Sequence, residues 1–382
     1  MFTARKQMVA GRSVAIVGGG PSGLAAAKAA TDEGLLPTVF EQSAGFGGLW
    51  RDDASGKVWQ SLRTNLSKFT CAFSDAPWPP GAPDFPGARM VLDYLCGYAE
   101  AHHLSERVRF NTRVTDVSGI PQGGWRLSWQ DVDGDAHEAV FDQVIIATGI
   151  FSQSHRPDIP GLDALGDRVV HASAYRAGDQ FAEQRVLVVG AAFSGADIAA
   201  DVASAGADVT LVASARTPLY YLSRDLGGKP VDLAFYSRST RDSSLGLEPA
   251  EKSRRRHQTF TKLGGKLRGL PEPDVTREPY VAIADDFRRA VDEERLRVTT
   301  SRVVSFDGDV ALLADGTRQR FDRVILATGY RVSLPFFSAA TLGALEYDSD
   351  DWLQPLILHK CVWHPALPGL AFCGMYRGVR RA

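Results

Sequence analysis

The chain has few cysteines and no excess of charge of either sign. Its 382 residues include four cysteines, at positions 71, 96, 361 and 373, with no CxxC pair and no spacing typical of metal ligands. This predicts a reducing compartment, no metal site and no redox dithiol. Lysine and arginine total 43 against 45 aspartates and glutamates, a net charge of −2, so neither a nucleic acid nor a membrane surface is expected as the main partner.

Long apolar runs are also missing. No stretch approaches the roughly 18 to 20 apolar residues that a membrane-spanning helix needs, and residues 1–13 leave no room for the apolar region of a signal peptide. We therefore expect a cytoplasmic protein without a membrane span. A chain of 382 residues predicts two or three domains. Ordinary proportions of hydrophobic (44%) and charged (23%) residues argue against disorder or a coiled coil.

What the chain does contain is a pattern of strand, glycine turn and helix. The first copy starts with an apolar run at 14–17, continues through GGGPSG at 18–23 into an alanine-rich helix, and is followed by a strand that ends in Glu41. Glycines let the backbone approach a pyrophosphate at the helix N-terminus, and a carboxylate after the second strand accepts the hydroxyls of an adenosine ribose. The predicted dinucleotide-binding residues of this copy are Gly18, Gly20, Pro21, Ser22, Gly23 and Glu41.

The second copy starts with a strand at 186–189 and continues through GAAFSG at 190–195. Ala192 replaces the middle glycine, so the backbone approaches the phosphates less closely. The next strand ends in ASAR instead of an acid, and a hydroxyl with a guanidinium suits a 2′-phosphate, which predicts an NADPH site. An ordinary exposed arginine is the alternative for Arg216. The predicted residues of this copy are Gly190, Phe193, Ser194, Gly195, Ser214 and Arg216.

Two further apolar strands run into the tripeptide Ala-Thr-Gly. Glycine after a buried strand allows a sharp exit near a ligand, as expected where the chain crosses between domains. We predict an α/β fold of two Rossmann-like dinucleotide-binding domains. The second, at 156–328, is inserted into the first, which comprises 1–155 and the return segment 329–382. These exits add four predicted binding residues: Thr148, Gly149, Thr328 and Gly329.

The pattern defines few elements in the insertion region 214–300. The run 252–268 holds seven lysines or arginines and no acid. Such a run could steer a phosphorylated cofactor, but charge runs are more often solvated surface. We therefore interpret 252–268 as a surface loop.

Residues 45–79 resemble the flavin-containing monooxygenase family, the single-chain class B flavoprotein monooxygenases. GFGGLW at 45–50 is similar to the family's second flavin loop, and WQSLRTNLSK at 59–68 followed by FSDAPWP at 73–79 is similar to its most specific segment. The resemblance extends over roughly 12–376 and implies FAD and NADPH as cofactors. It adds these binding residues: Gly47, Gly48, Leu49, Trp50, Thr64 and Asn65. A family-like SRDLGG stretch adds Arg224 as a weaker candidate than Ser214 and Arg216 for the contact with the 2′-phosphate of NADPH.

The resemblance also implies the chemistry. NADPH reduces FAD, the reduced flavin captures O2 as its 4a-hydroperoxide, and one oxygen passes to a small-molecule amine, sulfide or other soft nucleophile. Asn65 matches the family's active-site asparagine, which implies a hydrogen bond near the peroxide and bound NADP⁺; a turn or cap asparagine is the alternative. Phe193 stands where the family commonly has a polar residue. It either makes the pocket more apolar or packs the loop against its helix.

Two features depart from the family pattern. The fingerprint FxGxxxHxxx, followed by an aromatic residue and Lys, has lost its Phe and Gly, and its Tyr-Arg ending is closer to heteroatom oxygenases than to Baeyer–Villiger relatives. Its counterparts here are Leu165, Asp167, His171, Tyr175 and Arg176. Taken alone, His171 is expected to be a hydrogen-bonded structural histidine, and the resemblance also makes it a linker residue. The sequence stops at Ala382, where the family continues into a flavin-side helix. If Ala382 is the true terminus and no partner subunit supplies the helix, loss of that helix end predicts weak flavin retention and poor coupling.

The leading hypothesis is an FAD- and NADPH-dependent monooxygenase of nitrogen or sulfur centres. The alternatives are a Baeyer–Villiger or carbon-hydroxylating flavin monooxygenase, an uncoupled NADPH oxidase, and a nucleotide-binding protein without turnover. The lack of CxxC excludes a dithiol reductase. A homodimer is compatible with the sequence, which specifies neither the oligomeric state nor the natural substrate.

Overall fold

The computed structural model describes residues 11–53, 56–214, 218–235, 246–267, 270, 272–351 and 354–375. Arg216 lies outside the described residues, and so do the two chain ends. The expectations about a leader and a C-terminal helix rest on those ends. The chain forms two compact units. Unit 1 comprises the described residues up to Gly56, then 89–154 and the described residues from Tyr330 onward; unit 2 comprises 57–88 and 155–329.

The elements alternate between strands and helices over much of the chain. In chain order the strands are β1 (Ser13–Val17), β2 (Leu36–Phe40), β3 (Val108–Arg109), β4 (Arg113–Gly119), β5 (Trp125–Gln130), β6 (Ala136–Phe141), β7 (Gln143–Ile146), β8 (Gln153–Ser154), β9 (Val169–His171), β10 (Arg185–Val189), β11 (Asp208–Ala213), β12 (Leu219–Leu222), β13 (Tyr280–Ile283), β14 (Leu296–Thr300), β15 (Val303–Asp307), β16 (Val310–Leu313), β17 (Arg318–Arg320), β18 (Arg323–Leu326), β19 (Tyr330–Arg331) and β20 (Leu370–Phe372). The α-helices are α1 (Pro21–Asp32), α2 (Ala88–Ala101), α3 (Phe193–Ser204), α4 (Asp232–Phe235), α5 (Pro249–Lys262), α6 (Asp285–Asp292) and α7 (Ala339–Ala344). Among the residues described, none of these helices is long and apolar enough to cross a membrane.

Unit 1 is built on a five-stranded sheet in the order β20-β7-β1-β2-β3, and its neighbouring strands are parallel. The apolar run predicted as the first strand forms the centre, where Val14, Ala15 and Ile16 have no exposed surface. Helix α1 follows β1 directly and buries Leu24 and Ala27. Because β2 and β7 lie on opposite sides of β1, the carboxyl end of β1 is a switch point, where such sheets bind ligands.

Unit 2 repeats this arrangement with a parallel sheet in the order β14-β11-β10-β18-β9. Its central strand β10 is fully apolar from Val186, and Leu187 and Val188 have no exposed surface. Helix α3 follows β10 as α1 follows β1. Both predicted strand-turn-helix repeats are therefore present, and the expected fold of two Rossmann-type domains is confirmed.

The interpretation of 252–268 as a surface loop is wrong, because residues 249–262 form helix α5. Pro249 occupies the first helical turn, and Glu251 pairs with Arg254 and Arg255 one turn later, interactions that favour a helix start. His257 lies on the buried face, where its Nδ1 is 2.8 Å from the Tyr220 hydroxyl. The Arg254 and Arg255 side chains are exposed to solvent, as expected for this charged run. The contact of His257 with Tyr220 stabilises the helix.

Segment 57–88 belongs to unit 2 by its contacts, although the sequence assigned it to the range of the first domain. The Gln60 N–H donates to the carbonyl of Arg176 at 2.9 Å. The Trp59 ring packs edge-on against Tyr175, with ring centroids 6.1 Å apart. These partners lie more than a hundred residues away in sequence, so no local pattern predicts them.

Candidate functional site

The first glycine loop of unit 1 leaves space beside bare backbone. Gly18 has a φ of +108°, and a Cβ there would lie 2.6 Å from the carbonyl oxygen of Ala147. A Cβ at Gly20 would come within 3.5 Å of the Gly48 Cα. Helix α1 begins at Pro21 with no side-chain cap. Its first N–H groups and its dipole thus suit an anion such as a pyrophosphate.

The two other predicted residues of this loop contact protein. A Cβ at Gly23 would overlap the carbonyl oxygen of Gly18, so Gly23 permits close packing of helix against strand. The Ser22 side chain hydrogen-bonds the Cys373 thiol and lies against Gly374, where a Cβ would overlap its hydroxyl. These contacts shape the turn between β1 and α1.

Glu41 directly follows β2 and is buried, with 6% of its surface exposed. Its Oε2 accepts a hydrogen bond from the Gly19 N–H at 2.6 Å, and its Oε1 accepts from the Ser43 N–H and hydroxyl at 2.7 and 2.6 Å. These bonds fix the carboxylate beside the glycine loop. Carboxylate oxygens have further lone pairs, which leaves acceptor capacity for a ribose.

The loop at 45–50, which was predicted to bind flavin, lies directly on the first glycine loop at 18–23. The Gly47 N–H donates to the Gly19 carbonyl at 3.2 Å, and Gly47 and Gly48 have φ values of +122° and +55°. Gly48, Leu49 and Trp50 then form a 3-10 turn. Side chains at both glycines would be strained, and a Cβ at Gly48 would lie 3.0 Å from the Gly20 Cα. The two loops form a backbone cradle that a Cβ would fill.

The two Ala-Thr-Gly segments, at 147–149 and 327–329, make the same backbone hydrogen bond but differ in the partners of their threonine hydroxyls. The Ala147 N–H donates to the Val17 carbonyl at 2.9 Å, as Ala327 does to Val189 at 2.8 Å. The Thr328 hydroxyl donates to the carbonyl of His155. The Thr148 hydroxyl is buried and has no partner among the described residues. The glycines that follow both have positive φ: Gly149 at +76° and Gly329 at +85°.

The glycine loop of unit 2 has the same geometry. Gly190 has a φ of +103° and faces the Ala327 carbonyl, and a Cβ at Gly195 would overlap the Gly190 oxygen. Helix α3 starts after Ala192, again without a side-chain cap, and Ser194 is its second residue. Phe193 packs on Tyr280, with ring centroids 5.5 Å apart. This contact favours the packing explanation for Phe193.

The two residues predicted to select NADPH follow β11. Ser214 is exposed and comes directly after Ala213, the last residue of β11. This end of β11 lies beside the second glycine loop, because the Val212 carbonyl accepts a hydrogen bond from the Gly190 N–H at 3.0 Å. Arg216 lies outside the described residues, so its role stays a prediction.

Arg224, the weaker candidate, already has a carboxylate partner. Its Nη1 lies 3.0 Å from Asp285 Oδ2, its N–H donates to Asp285 Oδ1 at 2.8 Å, and its side chain is 11% exposed. Its Nε lies 3.5 Å from the Thr64 carbonyl. Because its charge is compensated and mostly buried, Arg224 is suited to support the backbone of segment 57–88.

Thr64 and Asn65 carry adjacent polar atoms that the described protein does not satisfy. The Thr64 Oγ1 and the Asn65 Oδ1 are both buried without a hydrogen-bond partner among the residues described. An unmet buried acceptor costs ~1 to 3 kcal/mol, which a ligand donor removes. Asn65 Oδ1 makes no turn or cap hydrogen bond here, which weakens the alternative explanation of this residue.

A small cavity of about 80 Å³ lies inside unit 2, against helix α3. Arg63, Arg224, Asp197, Asp201 and Asp286 are among its lining residues. Burial raises the pKa of Asp197 to about 7; Asp285 and Asp286 add to this rise, and Arg224 and Arg63 oppose it. Asp197 was not among the residues predicted from the sequence, although an aspartate within the apolar pattern of α3 is a usable signal.

The degenerate fingerprint is part of the packing of unit 2. The His171 Nδ1 accepts from the Ser173 N–H at 3.1 Å, and burial lowers the pKa of His171 to about 4, so the imidazole is neutral near pH 7. Tyr175 is 1% exposed and donates to Asp201. Arg176 donates to nearby carbonyls. These contacts favour the structural role expected for His171 taken alone.

The insertion supplies contacts to the second glycine loop that the sequence did not reveal. The Tyr221 hydroxyl donates to the Ala191 carbonyl at 2.7 Å, and the residue has no exposed surface. Burial raises the pKa of Tyr221, so its hydroxyl remains a donor. The run LYYL at 219–222 is typical of a strand, but nothing in it indicates this partner.

Removing the Tyr221 hydroxyl tests whether its hydrogen bond to Ala191 holds the second glycine loop in place. We expect Tyr221→Phe to weaken NADP⁺ binding about threefold to tenfold, since one hydrogen bond that holds the loop is lost. Tyr347→Phe is the matched control, because the Tyr347 hydroxyl also donates to a carbonyl, that of Val332 at 2.6 Å, in unit 1. Titration of NADP⁺ with each variant checks this. Equal affinities for both would show that the Tyr221 bond only stabilises the fold.

Each unit thus fits a dinucleotide. Unit 1 has an uncapped helix N-terminus, a backbone cradle and a buried carboxylate, and unit 2 has a second uncapped helix N-terminus. The orphaned hydroxyl of Thr148 and the orphaned oxygen of Asn65 add groups that a ligand can satisfy. On these observations the residues present fit FAD in unit 1 and NADPH in unit 2.

Comparison with known proteins places this geometry in a family. Residues 11–370 match the family described as FMO-like, flavin-binding monooxygenase-like. The mouse dimethylaniline monooxygenase [N-oxide-forming] 4 is 32% identical over an alignment of 372 positions, which covers 93% of this chain and 64% of that protein. Rabbit flavin-containing monooxygenase 5 is 30% identical over 96% of this chain and 70% of its own length. The chain thus spans about two thirds of these relatives.

Solved structures agree on the fold. The S-allyl-L-cysteine S-oxygenase of Allium sativum superposes with a TM-score of 0.66 at 23% identity, over 95% of this chain and 72% of that one. A flavin-containing monooxygenase of Stenotrophomonas maltophilia gives 0.68 at 23% identity, over 95% and 90%. A steroid monooxygenase bound to NADP gives 0.60 at 19% identity, over 83% and 71%.

These matches agree with the resemblance seen in residues 45–79 and with the paired nucleotide folds. FAD and NADPH are the cofactors of this family, and the expectation of both is confirmed at the level of the family. The chain belongs to the flavin-binding monooxygenase-like family.

Proposed function

We propose that this protein is an FAD- and NADPH-dependent monooxygenase that adds one oxygen atom of O2 to a nucleophilic nitrogen or sulfur of a small molecule. When bound, the cofactors supply the redox chemistry: a hydride from NADPH and activation of O2 by reduced flavin. The protein must hold both nucleotides and supply hydrogen-bonding groups at the reacting centre. The observation that carries the proposal is the orphaned oxygen of Asn65 in a segment typical of this family.

Support for nitrogen and sulfur comes from two relatives. The name of the mouse protein states that it forms N-oxides, and the Allium protein is named as an S-oxygenase. The Tyr-Arg ending at 175–176 supports the same choice over a Baeyer–Villiger reaction.

The backbone around Asn65 limits how its side chain can move. The Thr64 N–H donates to the carbonyl of Pro86 at 2.9 Å, and the Lys68 N–H donates to the carbonyl of Asp84 at 2.7 Å. The bend at 84–86 therefore holds the loop on both sides of Asn65. An amide held in this way can donate and accept without losing much conformational freedom, which is the basis of preorganised catalysis.

The test uses three substrates of different chemistry. Purified protein with FAD, NADPH and O2 is given a tertiary amine, a thioether or a cyclic ketone, and the N-oxide, sulfoxide and lactone are quantified against NADPH consumed. We expect N-oxide or sulfoxide with little lactone. Predominant lactone would identify a Baeyer–Villiger enzyme, peroxide alone an uncoupled oxidase, and nucleotide binding without turnover a silent protein.

We also propose that NADPH is preferred over NADH through Ser214 and Arg216. A charge-assisted contact with the 2′-phosphate is worth ~1.5 kcal/mol or more, so Arg216→Ala should lower the preference at least about tenfold. The ratio of kcat/KM for the two nicotinamides measures this. Arg224→Lys is the comparison: because Arg224 pairs with Asp285, the ratio should change little. Equal use of NADPH and NADH by the unaltered protein would contradict the assignment.

A further inference from the structure

One buried carboxylate in the insertion holds the loop that carries Asn65. Asp232, the first residue of α4, has no exposed surface. Its Oδ2 accepts from the Ser67 N–H at 3.1 Å and from the Ser67 hydroxyl at 2.9 Å. The Thr70 hydroxyl also donates to Oδ2. All three donors lie in one short stretch of chain, 165 to 162 residues away in sequence.

The donors belong to a tight turn. The Thr70 and Cys71 N–H groups donate to the Ser67 carbonyl at 3.0 and 2.9 Å. Burial, together with the negative charge of Asp232, raises the pKa of the Cys71 thiol. Asp232 therefore binds the turn at 67–71 from within the protein, two residues after Asn65.

This arrangement is costly if it only stabilises the fold. A buried carboxylate is tolerated when hydrogen bonds compensate its lost hydration, and replacing such groups by apolar ones is often neutral for stability. Asp232 concentrates its bonds on one oxygen, while Oδ1 has no partner among the described residues. The bonds instead define where the backbone of the turn lies. They thereby fix Asn65, which lies between this turn and the hydrogen bond from the Thr64 N–H to the Pro86 carbonyl.

We propose that Asp232 is a positioning residue, which orients the Asn65 side chain toward the bound nicotinamide nucleotide by fixing Ser67 and Thr70. The inference rests on the proposed role of Asn65. The proposal adds a role for the insertion region 214–300, which supports the reaction site through Asp232. Asp232 lies far from the first glycine motif in sequence.

The experiment is a double-mutant cycle on NADP⁺ affinity, which does not depend on turnover. The dissociation constant of NADP⁺ is measured by titration for the unaltered protein, Asn65→Ala, Asp232→Ala and the double variant. We expect each single change to weaken binding about fivefold to tenfold, the value of one hydrogen bond. The double variant should be no weaker than Asn65→Ala, because both changes remove the same contact.

Two further variants separate positioning from stability. Asp232→Asn keeps an acceptor oxygen for Ser67 and Thr70, so its affinity should stay within about twofold of the unaltered protein. Asp322→Ala removes a carboxylate that accepts from the Arg185 N–H at 2.8 Å and from its guanidinium. It should lower the melting temperature without changing NADP⁺ affinity. If Asp232→Ala does not fold, Ser67→Ala replaces it in the cycle.

The outcomes are distinct. Unchanged affinity in Asp232→Ala, unchanged affinity in Asn65→Ala, or affinity losses that multiply in the double variant would each overturn the positioning role. A protein that shows the expected cycle but forms only peroxide with every amine and sulfide would keep the positioning role and contradict the proposed function.

Discussion

Gly20→Val should abolish stable FAD binding, with affinity about 100-fold lower or worse. Gly20 precedes α1 and faces Gly48, so branched methyl groups would occupy the backbone cradle where the pyrophosphate approaches. Several backbone contacts at the helix N-terminus would be lost together, and 100-fold corresponds to ~2.7 kcal/mol. The ratio of flavin to protein absorbance after purification, followed by FAD titration, measures the loss.

The fold should survive this change. The φ of Gly20 is −78° and its ψ is −173°, an extended conformation open to any L-residue, and the nearest atom to a Cβ lies at 3.5 Å. Gly97→Val is the matched control, because Gly97 lies on helix α2 of the same unit with no atom within 4 Å of a Cβ. Full flavin occupancy in Gly20→Val, with the control unchanged, would show that the first loop does not bind FAD.

At saturating NADPH, Asn65→Ala should leave flavin reduction nearly intact and divert O2 to hydrogen peroxide. Product formed per NADPH consumed should fall about 100-fold, the effect of removing one preorganised hydrogen-bonding group at a reacting centre. Because Asn65 Oδ1 has no partner among the described residues, its removal breaks no hydrogen bond of the free protein at that atom. Stopped-flow reduction and product quantification separate the two steps.

The chain offers a natural control in Asn111, its other asparagine. Asn111 is exposed in unit 1 and has a φ of +51°, a conformation that glycine adopts easily. Asn111→Gly should therefore change neither stability nor coupling. If Asn65→Ala gives as much oxygenated product per NADPH as Asn111→Gly, Asn65 is a structural residue and its catalytic assignment is wrong.

The glycine loops and the acid after β2 were predictable because short sequence motifs specify the backbone conformations that nucleotide binding requires. Gly18 and Gly190 have positive φ and face a neighbouring strand, so a side chain is excluded at each by its immediate surroundings. Glu41 comes directly after a buried strand, and its place at the sheet edge follows from the alternation of strand and helix. Period and spacing thus suffice to place these residues at the carboxyl ends of β1, β2 and β10.

The environment of Asn65 was less predictable. The family-like segment 59–68 identified the residue, yet its orphaned oxygen and the bonds that fix its loop appear only in three dimensions. For Arg224, whose sequence context suggested a phosphate contact, the structure adds a pairing with Asp285, 61 residues away. The phosphate contact itself stays a prediction.

The sequence by itself therefore determined the two nucleotide-binding folds, their glycine loops and the acid that follows β2, because each depends on residues within about 20 positions along the chain. Only the tertiary structure decided how the insertion acts on the site. Asp232 with Ser67 and Tyr221 with Ala191 join residues 165 and 30 positions apart. Such contacts form where distant segments meet in a packed core, and since they impose no period or motif on either segment, they leave no signal in a single sequence.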